Sequence, residues 1–455
     1  MKDTDKTPLL KCTVLIFLCF LLTSTGWLSW EYHLMDQVAP GVSDICTMVI
    51  GYLLQAAGIS VFALLLRYRK SMAERILPAA LLLHLVFMIP AVLSPYLPGT
   101  LVFGFLMNLF CGIIAGYYLY DLTRNVQADR KASVFGVGYA LAILGSWLLS
   151  KVGGGALYYS DKVLIICAVL TIAAIAAGRR SRPETEDGEK PAASKAPAKQ
   201  HDRSFLLLAG ALVLLFSIVN SSGFAFPAAD LGRAVNVEFS RLVYAAGLVM
   251  AGFVTDKSRK YGAVAALTAL MIPFIILALR GETVSAVIFW ALSYFTFGFY
   301  SVYRIILFSD IAAEKDLLFL SGFGLLLGRV GDAAGEAICI SLGNRLLILV
   351  CVTAVLFAVT VAVFFKVYHR LYMPEARKEQ SEKEKFYQYA MQHDLSARER
   401  DMLRLLLEEK SNAEIADALC ISENTVKFHI RNLLQKTGCR NRNDLLASYL
   451  GSFPA

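Results

Sequence analysis

The feature that most constrains this chain is a series of long apolar blocks. Hydrophobic residues make up 57% of its 455 residues and charged residues only 18%, whereas a soluble globular domain is nearer half apolar and a quarter charged. The excess lies in blocks of about 18 to 24 residues, the length at which a helix spans a bilayer. The sequence therefore excludes an ordinary soluble enzyme and predicts a polytopic membrane protein embedded in a lipid bilayer.

Twelve blocks are long enough to count as separate spans. They are residues 9–30, 42–66, 76–93, 99–120, 133–150, 157–177, 205–226, 236–254, 261–279, 284–308, 317–341 and 345–368. The loops after the even-numbered spans carry eighteen Lys and Arg residues. Those after the odd-numbered spans, counted together with the first residues of the next span, carry six: Lys151, Lys162, Arg233, Arg241, Arg280 and Arg345. Because Lys and Arg are retained on the cytoplasmic side, we expect both termini, and the charged tail beyond residue 370, to be cytoplasmic.

The longest internal loop, residues 178–204, is rich in Glu, Lys, Pro and Ala, a composition typical of a flexible linker. It divides the membrane part into two sets of six spans, 1–177 and 205–368. This arrangement resembles the major facilitator superfamily, which implies two helix bundles around a central cavity. The loop Gly252–Gly262 is similar to the signature loop of that family, whereas the equivalent loop Leu66–Arg75 lacks its Gly and its Asp.

The tail carries local signals for several short helices. These signals are the capping boxes Ser396 with Glu399 and Ser411 with Glu414, the helix start at Ser422 and the helix stop at Gly438. Apolar residues recur at helical spacing between the signals, so each helix has one face to bury. A three-residue turn, Cys420–Ser422, joins the second and third helices. The pattern predicts a helix-turn-helix with a fourth helix beyond Arg442.

The third helix presents a polar and basic face to solvent. Between Asn424 and Asn443 there are five basic residues and no acidic one. A basic helix face within a helix-turn-helix is typical of proteins that bind the major groove of double-stranded DNA.

The segment Leu395–Tyr449 resembles the LuxR-type helix-turn-helix that also occurs in NarL/FixJ response regulators. The resemblance is carried by Ser396-x-x-Glu399, Asn412-x-Glu414-Ile415-Ala416, and Ser422-Glu423-Asn424-Thr425-Val426-Lys427-x-His429-Ile430 with Leu434-x-Lys436. The family usually has a Gly just before the position of Ser411, whereas this chain has Glu408-Glu409-Lys410. A domain of this kind implies a bacterial protein, and with the spans it implies a location in the inner membrane.

The resemblance also implies roles for single residues. Lys427, Phe428 and Arg431 would face the bases, where Lys or Arg can donate to guanine and an apolar ring can meet a thymine methyl group. Asn424, Thr425, His429 and Lys436 would hold the DNA backbone. Members of the family generally bind inverted half-sites as dimers through the last helix, on which Leu445, Leu446, Tyr449 and Leu450 form an apolar stripe.

Charged residues within spans are costly and indicate a functional site by default. Arg329, Asp332 and Glu336 share one face of span 11, within about 60° at 100° per residue. They could form either a structural ion-pair network or a site for a small polar ligand or a proton. The other candidate lining residues are Arg304 and Tyr300 on span 10, Asn108 on span 4 and Asn220 on span 7.

The nine cysteines form no CxxC pair and no cluster with His, so we expect no metal site, no cofactor and no enzymatic function. We expect domains at 1–177, 205–368 and 395–455, with a linker at 178–204 and a charged connector at 369–394. Two functions remain open: a one-component transcriptional regulator that senses a small molecule in the membrane, and a secondary transporter with an appended regulatory domain. In the transporter, Asp332 or Glu336 would couple transport to a proton.

Overall fold

The structure, a computed structural model, describes residues 6–152, 157–158, 160–180, 203–231, 237–278, 283–314, 317–342, 345–373, 383 and 385–452. Every regular element in these ranges is a helix, which confirms the all-α fold class. The chain forms two compact units, Met1–Tyr368 and His369–Ala455, called here the membrane unit and the C-terminal unit. Most of the predicted linker 178–204 and residues 374–382 of the predicted connector lie outside the described residues.

The described part of the membrane unit contains a helix at each of the twelve predicted positions. These helices are α1 Lys6–Met35, α2 Pro40–Tyr68, α3 Leu77–Leu93, α4 Leu97–Asn125, α5 Lys131–Lys151, α6 Lys162–Arg180, α7 Arg203–Leu231, α8 Val237–Lys257, α9 Arg259–Ala269 with Ile272–Ala278, α10 Thr283–Glu314, α11 Phe323–Leu342 and α12 Leu346–Tyr372. Shorter helical turns lie at Lys70–Ala73, Ala128–Arg130 and Leu318–Leu320. A π-helical turn at Ile45–Ile50 lies within α2.

Eight of the described helices are long and apolar enough to cross a membrane by length and composition alone. The other four differ for identifiable reasons. Helix α3 has 17 residues, and α9 is interrupted before Pro273, whose ring cannot donate the hydrogen bond that would continue a helix. Helices α8 and α11 carry charged residues within the span, such as Arg241 and Asp332.

The two six-helix halves meet along two lines, α5 against α8 and α2 against α11. Glycines allow the close approach along the first line. A Cβ atom on Gly136 would lie 2.4 Å from the carbonyl oxygen of Leu248, and one on Gly252 would lie 2.7 Å from that of Ala132. Because such contacts are below van der Waals distance, the α5–α8 interface requires these glycines.

The predicted signature loop joins the two halves at one end of the bundle. Asp256, at the end of α8, accepts hydrogen bonds from the backbone N–H groups of Ala132 (2.9 Å) and Ser133 (2.7 Å) at the start of α5. These N–H groups have no partner within their own helix and carry its positive dipole end. Arg259 donates to Asp256 (3.1 Å) and to Asp310 (2.8 Å).

The equivalent loop of the first half makes a different connection. Glu74 accepts a hydrogen bond from the hydroxyl of Tyr120 (2.8 Å) and pairs with Arg124. Both partners lie on α4, so these contacts tie helices within one half. Arg67 of the same loop crosses to the second half through a cation–π contact, with its guanidinium carbon 5.2 Å from the ring centroid of Phe319. The missing Asp thus corresponds to a different link between the halves, without a carboxylate at a helix start.

The C-terminal unit consists of a helix at residues 385–392 (α13) followed by four more. The latter are α14 Ala397–Leu407, α15 Asn412–Leu419, α16 Glu423–Thr437 and α17 Arg442–Gly451. Both predicted capping boxes are formed, and the hydroxyl of Ser422 accepts from the backbone N–H of Thr425. Gly438 ends α16 with φ = 70°, the left-handed conformation in which glycine is favoured.

Three other turns of the described part of this unit are left-handed without a glycine. Cys420 ends α15 with φ = 52°, Glu409 has φ = 60° between α14 and α15, and Asp394 has φ = 47° between α13 and α14. Glu409 lies in the segment where the LuxR-type family usually has a Gly. The turn therefore keeps the conformation that glycine would favour, at the steric cost of a side chain.

The core of the C-terminal unit extends upstream of the predicted boundary at residue 395. Phe386, Tyr389 and Ala390 of α13 are buried together with the apolar faces of α14, α15 and α16. The Tyr389 ring also packs against that of Tyr449 on α17, with the ring centroids 5.2 Å apart. The end of the predicted connector 369–394 is thus part of a packed core.

Candidate functional sites

A cavity of about 410 Å³ lies between the two halves of the membrane unit. Its wall comes from α1, α2, α4 and α5 on one side and from α7, α8, α10 and α11 on the other. Its size is that of a typical small-molecule pocket, which runs to about 300–1,000 Å³.

Aromatic rings form much of the wall of this cavity. They are Phe20, Trp27, Tyr52, Tyr118, Phe135, Tyr139, Tyr244 and Phe297. The rings of Trp27 and Tyr52 are nearly parallel, at an interplanar angle of 19° and a centroid distance of 6.3 Å. Such a wall suits a flat organic ligand whose orientation is set by a few polar groups.

The polar part of the wall centres on the carboxylate of Asp332. It accepts hydrogen bonds from Arg304 (3.1 Å) and from the hydroxyl of Tyr300 (3.3 Å). The same hydroxyl is 2.7 Å from an Arg304 guanidinium nitrogen and 2.6 Å from the hydroxyl oxygen of Ser217. These groups connect α7, α10 and α11, so Arg304 and Asp332 form a buried, hydrogen-bonded ion pair that holds the second half together.

Arg329 is held differently from Arg304. Its nearest guanidinium nitrogen is 3.7 Å from Asp332, beyond hydrogen-bonding distance, and Asp332 is already bonded to Arg304. The guanidinium carbon instead lies 4.4 Å from the ring centroid of Tyr52 on α2, a cation–π contact. Arg329 therefore crosses from the second half of the bundle to the first.

Five of the seven residues proposed from the sequence for this site line the cavity. They are Asn220, Arg304, Arg329, Asp332 and Glu336. The other two lie behind the wall. Tyr300 is fully buried and holds Arg304, and Asn108 is fully buried with its amide group between Gln55 and the carbonyl of Gly104. Asn108 and Tyr300 thus support the wall, and it is Gln55 that faces the cavity.

Sequence reasoning missed several wall residues, above all Trp27, Tyr52 and Arg241. Arg241 was counted as a loop residue, but it lies in the first turns of α8. Tyr52 had no distinguishing sequence signal, because an aromatic residue in an apolar helix usually packs against a neighbour. Its role depends on the approach of Arg329 from a helix far away in the chain.

In the C-terminal unit, helix α16 exposes the side chains predicted to face DNA bases. Lys427, Phe428 and Arg431 are all exposed, and Phe428 is 60% exposed. The opposite face of the helix buries Val426 and Leu433 in the core. The exposed face of α16 thus combines an apolar ring with two cations.

The residues proposed for the DNA backbone differ in their surroundings. Asn424 is exposed, and Thr425 and His429 are half-buried beside it. Lys436 is engaged within the unit: its ammonium donates to the Glu399 carboxylate (2.8 Å) and to the carbonyl of Asp394 (2.8 Å). Lys436 thus ties α16 to the start of α14, and the DNA surface proposed below does not include it.

A cleft beside α16 is lined by Lys427, Arg431, Gln435, Arg440 and Arg442. Of its basic residues, Arg440 and Arg442 are the two that the sequence did not assign to a DNA contact. Arg442 donates to the carbonyl oxygens of Lys410 (2.7 Å) and Leu406 (3.3 Å), so it fixes the turn before α15. Arg440 is exposed and extends the basic face beyond the end of α16.

The capping carboxylates of this unit are held ionised. Burial raises the pKa of Glu399, but hydrogen bonds from Lys436 and Ser396 outweigh it and leave the pKa below its ordinary value. Hydrogen bonds from the backbone N–H and hydroxyl of Ser411 lower the pKa of Glu414. Both helix starts are therefore stabilised by negative charge at neutral pH.

Comparisons with known proteins agree with this geometry in the C-terminal unit. Residues 393–448 match the luxR family of bacterial regulatory proteins. The spore germination protein GerE of Bacillus subtilis (strain 168) is 43% identical over 56 residues, which cover 12% of this chain and 76% of GerE. The uncharacterized transcriptional regulatory protein YhcZ of the same strain is 51% identical over 61 residues, 13% of this chain and 26% of YhcZ.

The nitrate/nitrite response regulator NarP of Escherichia coli (strain K12) is 54% identical over 48 residues, 10% of this chain and 22% of NarP. The chain thus spans about a quarter of the length of YhcZ and NarP. All these similarities are confined to the helix-turn-helix. They say nothing about the membrane unit.

For the membrane part, the crystal structure of the human organic anion transporter MFSD10 (TETRAN) has the same fold. It superimposes with a TM-score of 0.57 at 12% sequence identity and covers 81% of this chain and 99% of the transporter. At this identity the likeness concerns the fold alone, which confirms the major facilitator arrangement. Through residues 393–448 the chain belongs to the luxR family of bacterial regulatory proteins, and it joins that DNA-binding domain to a multi-pass membrane unit.

Proposed function

We propose that this chain is a one-component transcriptional regulator that binds a small molecule in its membrane unit and double-stranded DNA through its C-terminal unit. The observation that carries the proposal is the presence of two sites on one chain. One is a ring-lined cavity between helix bundles, and the other is an exposed basic recognition helix. Both are binding sites, so the chain acts by binding and not by catalysis.

On DNA, α16 enters the major groove. Lys427 and Arg431 donate to guanine edges, and the ring of Phe428 meets a thymine methyl group. Asn424, Thr425 and His429 contact phosphates and set the register, together with Arg440 beyond the helix. The protein binds as a dimer through α17, whose Leu450 is 71% exposed.

In the membrane, the ligand acts on the contact between the two halves. Arg329 on α11 and Tyr52 on α2 meet at the cavity wall, so a molecule that binds there changes the interaction between the halves. Such a ligand regulates only if it binds two conformations of the bundle with different affinity. We place the chain in the inner membrane of a bacterial cell with both termini in the cytoplasm, where the C-terminal unit can reach the chromosome.

A transcript profile across a panel of small molecules tests the proposal. It compares cells that express the native chain with cells that express the Lys427→Ala/Arg431→Ala double variant. We expect a few operons to respond to one compound in the native strain and not in the variant. Identical profiles in the two strains for every compound would refute the regulator.

A secondary transporter with an appended regulatory domain is the second candidate. It is favoured by the major facilitator fold and by the carboxylates Asp332 and Glu336 in the cavity wall. In that case uptake of a compound would depend on the chain and would persist in the Lys427→Ala/Arg431→Ala variant. A regulator would show ligand binding without such flux.

A further inference from the structure

Positive charge predominates in the wall of the membrane cavity. The wall contains three arginines, Arg241, Arg304 and Arg329, and two carboxylates, Asp332 and Glu336. Arg304 and Asp332 neutralise one another through their hydrogen bond. The charge of Arg329 is less fully compensated, since its contact with the shared Asp332 is long, at 3.7 Å, and its guanidinium lies over the uncharged ring of Tyr52.

The second cation, Arg241, lies in an acidic environment. It interacts electrostatically with Glu31, which in turn interacts with Asp44, and Asp44 interacts with Glu336. Glu31 and Asp44 are not part of the cavity wall. Of these acidic residues, Glu31 has Arg241 as a partner. In the described part of the cavity wall, Arg329 is the cation whose nearest carboxylate is already hydrogen-bonded to another arginine.

Unsatisfied hydrogen-bonding groups point to the same kind of ligand. Among the wall residues in the described part of the chain, three buried side-chain atoms have no hydrogen-bond partner: Nε1 of Trp27, Nε of Arg304 and Nε of Arg329. All three are donors. Because a buried donor without an acceptor is unfavourable by several times the net value of an ordinary hydrogen bond, the wall is complementary to a ligand that brings acceptors.

The rings complete the description. Trp27 carries one of the free donors and lies nearly parallel to Tyr52, over which Arg329 is placed. A planar ring and an anionic group can therefore be recognised side by side. An ammonium ligand would instead meet the Arg329 cation and three donors that it cannot satisfy.

We infer that the ligand of this cavity is an aromatic carboxylate, whose ring packs with Trp27 and Tyr52 and whose oxygens accept from Arg329 and the Trp27 indole. This inference rests on the proposed ligand-binding function of the membrane unit. The carboxylate gives Arg329 the hydrogen-bonding partner that Asp332 does not, and it competes with Tyr52 for the guanidinium. The group that recognises the ligand is thus also a contact between the two halves.

Equilibrium dialysis on the full chain in lipid nanodiscs tests the inference with three probes of one shape: 2-naphthoate, the neutral 2-naphthamide and the cationic 2-naphthylmethylamine. We expect the acid to bind and the amide and amine to bind at least tenfold more weakly. Arg329→Gln should weaken binding of the acid at least tenfold and leave the amide within about twofold. The matched variant Arg130→Gln, at an exposed arginine outside the cavity wall, should keep the affinity for the acid within about threefold.

Two further variants separate recognition from folding, which thermal unfolding monitors in parallel. Arg329→Lys retains the charge and should recover most of the affinity for the acid. Trp27→Phe keeps a ring, removes the donor and should weaken the acid more than the amide. Three results would overturn the inference. The amide or the amine binds as tightly as the acid or more tightly, Arg329→Gln and Trp27→Phe weaken all three probes equally, or the acid does not bind at millimolar concentration.

The outcomes also distinguish this inference from the proposed function. Selective binding of naphthoate without any transcript that depends on Lys427 and Arg431 would support the inference and refute the regulator. A tail-dependent response confined to amines or neutral compounds would support the regulator and refute the inference.

Discussion

The two units of this protein each contain a cation that is hydrogen-bonded to a carboxylate and a cation that is not. In the membrane unit Arg304 is bonded to Asp332, whereas Arg329 rests on a tyrosine ring. In the C-terminal unit Lys436 is bonded to Glu399, whereas Lys427 and Arg431 are exposed to solvent. Within each unit, the hydrogen-bonded cation joins helices. The other cations line the cavity in the membrane unit, or lie on the exposed face of α16 in the C-terminal unit.

The difference between the units lies in how much the pairs are worth. Arg304 and Asp332 are almost wholly buried, with side chains only 6% and 12% exposed, whereas Lys436 is 39% exposed. If one member of the Arg304–Asp332 pair is lost, the other charge remains unpaired in an environment of low dielectric constant. If one member of the Lys436–Glu399 pair is lost, the other charge remains partly solvated. Changes to the paired groups should therefore affect stability, and changes to the unpaired groups should affect binding.

The largest effect is expected for Asp332→Asn. It leaves Arg304 and Arg329 buried without a counter-charge, which should destabilise the membrane unit by about 3–5 kcal/mol. Thermal unfolding of the purified chain measures this loss, with size-exclusion chromatography after each heating step to quantify the protein that remains folded. Glu336→Gln on the same wall is the control and should change stability by less than about 1 kcal/mol. Equal stability of the two variants would mean that Asp332 is not the structural centre of the network.

The double variant Lys427→Ala/Arg431→Ala should leave folding intact and remove binding. We expect operator affinity to fall by about 2–4 kcal/mol, or roughly 30- to 1,000-fold, because each base contact contributes about 1–3 kcal/mol. Electrophoretic mobility shift with the full chain at fixed salt measures the change. Arg398→Ala is the control, since Arg398 is also exposed but pairs with Asp401 on α14. A similar loss in the control would indicate a nonspecific effect of charge.

Glu399→Gln should reduce local stability by about 1–2 kcal/mol, because it removes a charge-assisted hydrogen bond to Lys436. Hydrogen exchange of the α14 and α16 amides in the full chain reports this loss. The pKa of Glu399 is lower when folded than unfolded, so its contribution is fully present above the unfolded pKa. It is lost as the pH falls through the lower folded pKa. The native chain should lose protection across this acidic window, and Glu399→Gln should lose less.

The same pair decides the role of Lys436. If its ammonium serves only Glu399 and Asp394, Lys436→Met should lower amide protection and leave the salt dependence of DNA binding unchanged. If the slope of log binding constant against log salt concentration falls by about one, the value expected for one lost phosphate contact, Lys436 contacts DNA as the sequence predicted.

The smallest effect is expected at Glu409, where no charge pair is involved. Its φ of 60° is sterically unfavourable for a residue with a side chain by about 1–2 kcal/mol. Replacement by glycine removes this cost, but glycine loses more conformational entropy on folding, which offsets part of the gain. Glu409→Gly should thus stabilise the C-terminal unit by about 0.5–1 kcal/mol. Slower exchange of the α14 and α15 amides would show it. Destabilisation would mean that the Glu409 side chain makes a compensating contact.

The sequence predicted the C-terminal unit in detail because its signals are local. Ser396, Ser411 and Gly438 act on backbone groups within four residues, so their neighbours along the chain determine their role. The partner of Lys436 is 37 residues away, and no local pattern reveals it. Residues of α13 were also missed, because the burial of Tyr389 depends on α17, whose Ser448 lies 59 residues later in the chain.

In the membrane unit the sequence predicted helix positions and the shared face of Arg329, Asp332 and Glu336. It could not tell a structural network from a ligand site. The structure shows an ion-pair network on Asp332 and a cavity that all three residues line. That division depends on contacts between helices distant in the chain, such as Arg329 with Tyr52. Asn108 illustrates a related limit of sequence reasoning. It lies on a helix that lines the cavity, but its buried amide group is hydrogen-bonded to Gln55 and to the carbonyl of Gly104.

The loop around Asp256 has a consequence for the sensitivity of the proposed regulator. The Asp256 carboxylate holds two backbone N–H groups across the halves, while the corresponding loop of the first half crosses through the cation–π contact of Arg67 with Phe319. Separation at the Asp256 end would expose both donors, which favours the form in which this end is closed. In the proposed regulator, a ligand that favours the other form must overcome this preference, and its apparent affinity falls by the fraction of molecules that are competent to bind it. The Asp256 carboxylate would thus raise the ligand concentration needed for a response.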